Sequence, residues 1–241
     1  MTMDETSEKF VPDNEALTAL GALPDDAPVV ILNLFEFVND GGESYRRYSA
    51  DALPLIEARG GRFLYTGVPL GYGAGDKNWD LVFLVFYPSR SSFLDLVAEP
   101  EYRKRLADRS AGLKRMVEYA FRPVPGAPPL NTVSVTDDKE IFVPNLLRFK
   151  PGGRAEYQKY GQVSGALMRE RNAWLTFALQ GELPLVSDET WEILLLVRYP
   201  TLEALIDMNS QDSWQKANRE HRQVGLDLTW AFPTRPIIAE G

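Results

Sequence analysis

The sequence predicts an α+β fold of two tandem ferredoxin-like β-α-β-β-α-β repeats packed sheet to sheet. Three observations carry that prediction. An apolar run of strand length, opened by Trp79-Asp80 and closed by Tyr87-Pro88, returns as Trp191-Glu192 through Tyr199-Pro200, a shift of 112 residues (191 − 79). A connector with Pro123, Pro125, Gly126, Pro128 and Pro129 stands between the copies, and proline at that density favours extended, non-helical chain. The run from Trp79 to Tyr87 is almost continuously apolar, so its sheet expects cover on both faces. Its own helices supply one cover and the other repeat the second.

Each element follows from local chemistry. Residues 1–27 form an acidic arm in which Asn14 suits the cap of a short helix through Leu17 and Leu20. Val29 to Phe37 is rich in β-branched and aromatic residues and predicts a strand. After Asp40-Gly41-Gly42, the residues Tyr45, Tyr48, Ala52, Leu55 and Ile56 fall on one helical face, and Gly60-Gly61 ends that helix. Arg62 to Thr66 is a second strand, Pro69 to Asn78 a glycine-rich loop, and Trp79 to Tyr87 the third strand. Ser89 caps a helix carrying Phe93, Leu94 and Val97; Tyr102, Leu106 and Leu113 continue the helical spacing, and Met116 to Phe121 closes the unit. The repeats thus run over 28–122 and 141–233, joined by a linker at 123–140 and followed by a tail at 234–241.

In the second repeat Asn145 answers Asn33, Tyr157 and Tyr160 answer Tyr45 and Tyr48, and Thr201 takes the place of the Ser89 cap. Beyond Trp214, which replaces Tyr102, the register slips. Asp108-Arg109 matches His221-Arg222 at 113, and Glu118 through Phe121 matches Thr229 through Phe232 at 111.

Composition narrows the function. Hydrophobic residues make up 44% and charged residues 25%, which is ordinary for a globular protein. A net charge of −8 argues against a nucleic-acid partner, because phosphate binding rests on clustered Lys and Arg. With no cysteine, thiolate nucleophiles, disulfides and cysteine-based metal sites are excluded. The acidic N-terminus lacks the pattern of a secretory signal, and no apolar run reaches the roughly 20 residues that span a bilayer, so a cytoplasmic protein without a membrane partner is expected.

The combination of Asn33 and Phe37, Tyr45 and Tyr48, Gly60-Gly61-Arg62, Trp79-Asp80, Tyr87-Pro88-Ser89, Pro100-Glu101-Tyr102 and Arg109 resembles the family called domain of unknown function 1330. The resemblance covers 28–122 and, more weakly, 141–233, where Asn172-Ala173 replaces the double glycine and Asp212-Ser213-Trp214 the Pro-Glu-Tyr triplet. It implies a dimeric α/β barrel, here fused into a pseudo-dimer. Relatives in that superfamily include cofactor-free monooxygenases, lactone isomerases, haem enzymes and stress-response barrels. Many family members carry a His-Arg pair in the second helix, which only His221-Arg222 retains.

His221, the sole histidine, is the natural candidate to move a proton, set against a solvated position between Arg219, Glu220 and Arg222. Arg109 and Arg222 are catalytic candidates that would fork onto a substrate carboxylate. Their structural alternative is pairing with Asp80 and Glu192, which open the central strands and stand with the substrate-binding candidates. Asn33 and Asn145, mid-strand amides, and Tyr48 and Tyr160, on apolar helix faces, complete that set. Gly71-x-Gly73-x-Gly75 precedes a strand and not a helix, so it reads as a hairpin loop and not a phosphate site. The basic run around Arg103, Lys104 and Arg105 reads as a solvated face, and no residue spacing suggests a metal. The function expected is binding of a small organic acid or aromatic compound, as a cofactor-free enzyme if an enzyme at all. The alternatives are a haem protein resembling the chlorite dismutases, with His221 as ligand, and a non-enzymatic oligomerisation module. The chain would be a monomer with pseudo-twofold symmetry or a homodimer.

Overall fold

A computed structural model describes residues 10–76, 78–125 and 130–237. Expectations for the arm before Phe10, for 126–129 of the connector and for the tail after Ile237 lie outside the described residues. The chain forms two compact units that are not contiguous in sequence. Unit 1 takes Met1–Thr66, Trp79–Pro123 and Gly181–Thr190; unit 2 takes Gly67–Asn78, Val124–Gln180 and Trp191–Gly241.

Unit 1 is built on β1 (Val29–Phe37), which pairs antiparallel with both β3 (Leu81–Tyr87) and β4 (Leu113–Pro123), while β2 (Arg62–Pro69) lies beside β3. Three helices supply most of the helical side of its apolar core, to which Leu20 adds from residues 14–21. From α2 (Gly41–Glu57) come Tyr48, Ala52 and Ile56, one turn apart on a single face. From α3 (Arg90–Ala98) come Phe93, Leu96 and Val97, and from α4 (Pro100–Ala111) Tyr102 and Leu106. They pack with Ile31, Phe35, Phe83 and Val85 of the sheet, and burying each Val, Leu, Ile or Phe among them contributes about 1.5–3 kcal/mol. The first helix, α1 (Asn14–Gly21), is capped by Asp13 and not Asn14: the Asp13 carboxylate accepts from Ala16 N–H at 2.6 Å. Ser89 caps α3 by accepting from Ser92 N–H at 3.1 Å, and Gly60 has the positive φ, 71°, that a helix stop requires. Leu113, expected in the helix, is the first residue of β4, since Gly112 ends α4.

Unit 2 runs through the same order of elements. Its centre is β5 (Ile141–Phe149), paired antiparallel with β7 (Ile193–Tyr199) and β8 (Leu226–Ala231); β6 (Trp174–Val186) pairs with β7. The helices are α5 (Gly153–Glu170), α6 (Leu202–Ser210), capped by Thr201, and α7 (Asp212–Ala217). A short β9 (Thr234–Pro236) pairs with residues 67–69. The glycine-rich loop belongs to this unit and packs along β8: Ala74 and Ala231 exchange two backbone hydrogen bonds, at 2.7 and 2.9 Å. A Cβ on Gly73 (φ 138°) would sit 2.3 Å from Ala231 O, so the glycines there serve close backbone approach.

One difference between the units sets the register of everything after it. In unit 1, Gly41 and Gly112 touch so closely that a Cβ on Gly41 would lie 2.0 Å from Gly112 O. Unit 2 repeats the contact with Gly153 and Gly225, again at 2.0 Å. The first glycines are 112 apart and the second 113 (153 − 41; 225 − 112). The extra residue is taken up by a π-helical turn, Asn218–Arg222, between α7 and α8 (Gln223–Gly225), where α4 is regular. The shift then persists. Val117 opposite Leu34 corresponds to Trp230 opposite Leu146, which is 113 and not the 111 suggested by the likeness of Tyr-Ala-Phe to Trp-Ala-Phe. Glu118 therefore corresponds to Ala231, not to Thr229.

Among the described residues no helix is long and apolar enough to cross a membrane.

Candidate functional site

Each unit has a cavity between its sheet and its helices, at corresponding positions. In unit 1 it has shrunk to about 30 Å³, whereas in unit 2 it measures about 470 Å³, within the usual range for ligand pockets. The substitutions responsible can be read one by one. Phe63, Phe83 and Phe93 line the first cavity, and Leu175, Leu195 and Leu205 stand in their places in the second. Ser49 gives way to Gly161 on the helix, and Glu118 to Ala231 on the sheet.

Polar groups in unit 1 are packed against one another, although Arg109 Nε and Glu118 Oε2 make no hydrogen bond among the described residues. Arg109 is buried at 3% exposure, with Nη1 3.6 Å from Glu118 Oε2 and Nη2 donating to Phe10 O at 2.5 Å. Tyr48 and Tyr102 share a hydrogen bond of 2.8 Å between their hydroxyls. Burial pushes the Glu118 carboxyl up, with Arg109 pulling it back only in part, and burial likewise raises the hydroxyls of Tyr48, Tyr87 and Tyr102. Asn33 Nδ2 donates to Ile31 O of its own strand at 3.4 Å. The sequence offered Asp80 as the arginine's structural partner; the carboxylate that meets it is Glu118.

In unit 2 the same positions are open. Arg222 ends the π-helical turn, lines the cavity, donates from Nη2 to Thr229 Oγ1 at 3.0 Å and lies 5.9 Å from the Tyr160 ring centre. Among the described residues no carboxylate is within ion-pair distance of it, because Ala231 stands where Glu118 does. Tyr157, Tyr160 and Ser164 present one face of α5 to the cavity, with Tyr199 contributed by β7. Burial and the neighbouring Tyr160 raise the Tyr157 hydroxyl, and Arg222 partly offsets this. Asn145 Nδ2 donates to Val143 O at 2.9 Å, leaving its second N–H and its carbonyl unspent on the strand. Trp214 replaces Tyr102 and meets Tyr160 edge to face at 6.4 Å. Tyr72, on the glycine loop, also lines the cavity, a contribution invisible in sequence because it comes from the stretch between β2 and β3.

Other candidates lie elsewhere. His221 is next to Arg222 but does not line the cavity; its Nδ1 is 2.8 Å from Glu156 Oε2, and Lys159 and His221 together hold the Glu156 carboxyl low. Asp80 accepts from Phe37 N–H at 2.7 Å, and Glu192 accepts from Phe149 N–H at 2.9 Å while meeting Arg154 at 2.7 Å. Those carboxylates tie the start of one strand to the end of its neighbour. No histidine or cysteine lines the cavity, so a haem held by imidazole or thiolate would find no ligand there; His221 stands outside it, and the thioethers that do line it are Met168 and Met208, the latter 3.8 Å from the Tyr199 hydroxyl.

Two ferredoxin-like units with these pairings define an α+β protein of the dimeric α/β-barrel class. The family model described as "Domain of unknown function (DUF1330)" matches residues 31–119. Among solved structures, an anthrone oxidase-like protein is 11% identical with a TM-score of 0.58, over 89% of this chain and 93% of its own. A mutant chlorite dismutase from Candidatus Nitrospira defluvii is 12% identical with a TM-score of 0.51, over 90% of this chain and 95% of its own. At such identities the likeness is one of fold. A protein of unknown function from Rhodopseudomonas palustris is 27% identical, over 47% of this chain and 95% of its own, with a TM-score of 0.44. No curated protein matches the sequence.

Proposed function

We propose that the cavity of unit 2 binds a small organic acid with a planar, apolar body, and that Arg222 holds the acid group. One observation carries the reading: an arginine lines a cavity of about 470 Å³ and among the described residues faces no carboxylate, while its counterpart Arg109 lies 3.6 Å from Glu118 in a filled core. A guanidinium in a low-dielectric pocket offers a planar fork that matches a carboxylate. Tyr157, Tyr160 and Trp214 supply flat apolar surface for the body of the ligand. Asn145 has an N–H left for a carbonyl or a developing oxyanion, which is the contribution expected of it in a cofactor-free reaction. His221 has no part in this reading. The chain is taken as a tandem duplication of one unit, in which the first copy filled its cavity and the second kept it. An assembly module with no ligand site would expect two filled cores, and the second cavity speaks against it.

The test is calorimetry with benzoate, phenylacetate and naphthoate on the wild type and on Arg222→Ala. Loss of a charge-assisted contact should weaken binding by about tenfold or more. Equal affinity in the two proteins would sink the assignment. Arg222→Lys should restore only part of the affinity, because an ammonium cannot form the paired contact.

A further inference from the structure

We infer that the occupant of this cavity is a singly charged aromatic acid with a body of about three fused rings, a size class that rests on the acid-binding reading above and narrows it. Volume is the first support. A cavity of about 150 Å³ takes one benzene ring, and the cavity of unit 2, at about 470 Å³, is roughly three times as large. A lone benzoate would leave most of the lining without contact, and apolar walls facing a gap forfeit their dispersion attraction. Charge sets the other limit. Arg222 is the only charged side chain among the described residues of the lining, so a second anionic group on the ligand would be desolvated without a partner. Bulk beyond the acid group has to be apolar.

The room is made at positions whose direction the backbone settles. Along β7, Leu195, Val197 and Tyr199 line the cavity in alternation with residues of the other face. Leu195 stands where Phe83 helps to fill the smaller cavity of unit 1. On α5, Tyr157, Tyr160, Ser164 and Gly165 line the cavity, and at about 3.6 residues per turn Gly161 falls inside their arc. A Cβ added at Gly161 would meet nothing within 4 Å. Glycine inside a helix is unfavourable relative to alanine, and here, unlike at Gly153, no neighbouring atom demands it. Gly161 and Leu195 are therefore the positions that set ligand size, one on the helix and one on the sheet.

The experiment is calorimetry with benzoate, naphthoate and phenanthrene-carboxylate on the wild type, Leu195→Phe and Gly161→Leu. In the wild type each added ring should tighten binding by about tenfold, through the apolar surface it buries. Pentadecanoate, with as many carbons as the phenanthrene acid, should bind about tenfold more weakly than it, because a flexible chain loses rotamer freedom on binding. Leu195→Phe restores the side chain of unit 1 and should cut the ratio of phenanthrene-acid to benzoate affinity by about tenfold, as overpacking excludes the larger body first. Gly161→Leu should lower the same ratio, and it keeps the test open should Leu195→Phe fold poorly. Benzoate bound as tightly as the three-ring acid, pentadecanoate bound more tightly, or a ratio unchanged in both variants overturns the inference. Neutral carboxamides of the same ring systems separate it from the reading beneath it. Amides that bind as well as the acids refute the anion site, while their own rise with ring number still supports the size class. Binding of none of these compounds overturns both.

Discussion

Glu118 and Ala231 hold the same place in their respective sheets: Glu118 stands opposite Asn33, and Ala231 stands opposite Asn145. In one unit a carboxylate faces the buried arginine, and in the other a methyl group leaves the arginine to the cavity. Ala231→Glu should recreate the filled arrangement. The new carboxylate is expected to pair with Arg222 and to abolish binding of aromatic acids, with thermal-shift titration as the readout. Undiminished binding would contradict the equivalence.

Removing the carboxylate from unit 1 should be costly. Glu118→Ala strands a 3%-exposed guanidinium without its counter-charge, and breaking a buried pair from one side costs about 3–5 kcal/mol. Urea unfolding measures it. A loss under 1 kcal/mol would mean that water or Tyr48 compensates Arg109 in full.

Arg90 and Glu182 give a second case inside unit 1. The guanidinium donates from Nε to Glu182 Oε2 at 3.0 Å and from Nη2 to Oε1, with each side chain 4% exposed. Glu182→Ala should destabilise by about 3–5 kcal/mol, whereas Arg90→Met with Glu182→Leu should be close to neutral. A double variant as unstable as the single one would show that Arg90 also matters through its contacts to Pro24 and Asp25.

Acid sensitivity should trace in part to Glu140. Burial pushes its carboxyl up, but hydrogen bonds from Arg198 (2.5 Å) and Thr136 (2.6 Å) more than offset this, and the net direction is below the ordinary 4.5. A depressed carboxyl contributes stability that is present above about pH 4.5 and is lost as pH falls through the folded-state value. Glu140→Gln should therefore lower stability at neutral pH and flatten its fall in acid. Parallel stability curves for variant and wild type would refute the linkage.

The glycines divide by what surrounds them. Gly153→Ala forces a Cβ to 2.0 Å from Gly225 O and should cost at least about 1–3 kcal/mol. Gly161→Ala, on the same helix with nothing within 4 Å, should gain up to about 1 kcal/mol from helix propensity. Thermal denaturation of both variants checks the contrast, and equal effects would contradict the close contact.

Much of the fold was legible because short-range chemistry carries it. The strands at Val29–Phe37 and Ile141–Phe149, the caps at Ser89 and Thr201, and the stop at Gly60 all follow from residue type and spacing. The site was less legible. Arg222 and Asn145 could be named, but Glu118 was matched to Thr229, because an inserted residue in a helix leaves its apolar spacing almost intact and the two aromatic strand ends align by eye. The cavity itself is a sum over many side chains. Each exchange of Phe for Leu is conservative alone, and only three together, with a glycine and an alanine, leave room for a ligand. Asp80 and Glu192 look chemical in sequence, yet a carboxylate at a strand start finds a backbone N–H across the sheet.

The non-contiguous units bear on how the gene can be cut. A fragment ending in the proline-rich connector would lack Gly181–Thr190, which contributes Leu185 to the core of unit 1 and Glu182 to Arg90. The complementary fragment would lack Gly67–Asn78, and with it Tyr72 and one of the two strand partners of β9. Split at its most inviting linker, the polypeptide yields two incomplete pieces, each holding the part that the other needs. Such halves are suited to fragment complementation, with co-expression restoring what neither achieves alone.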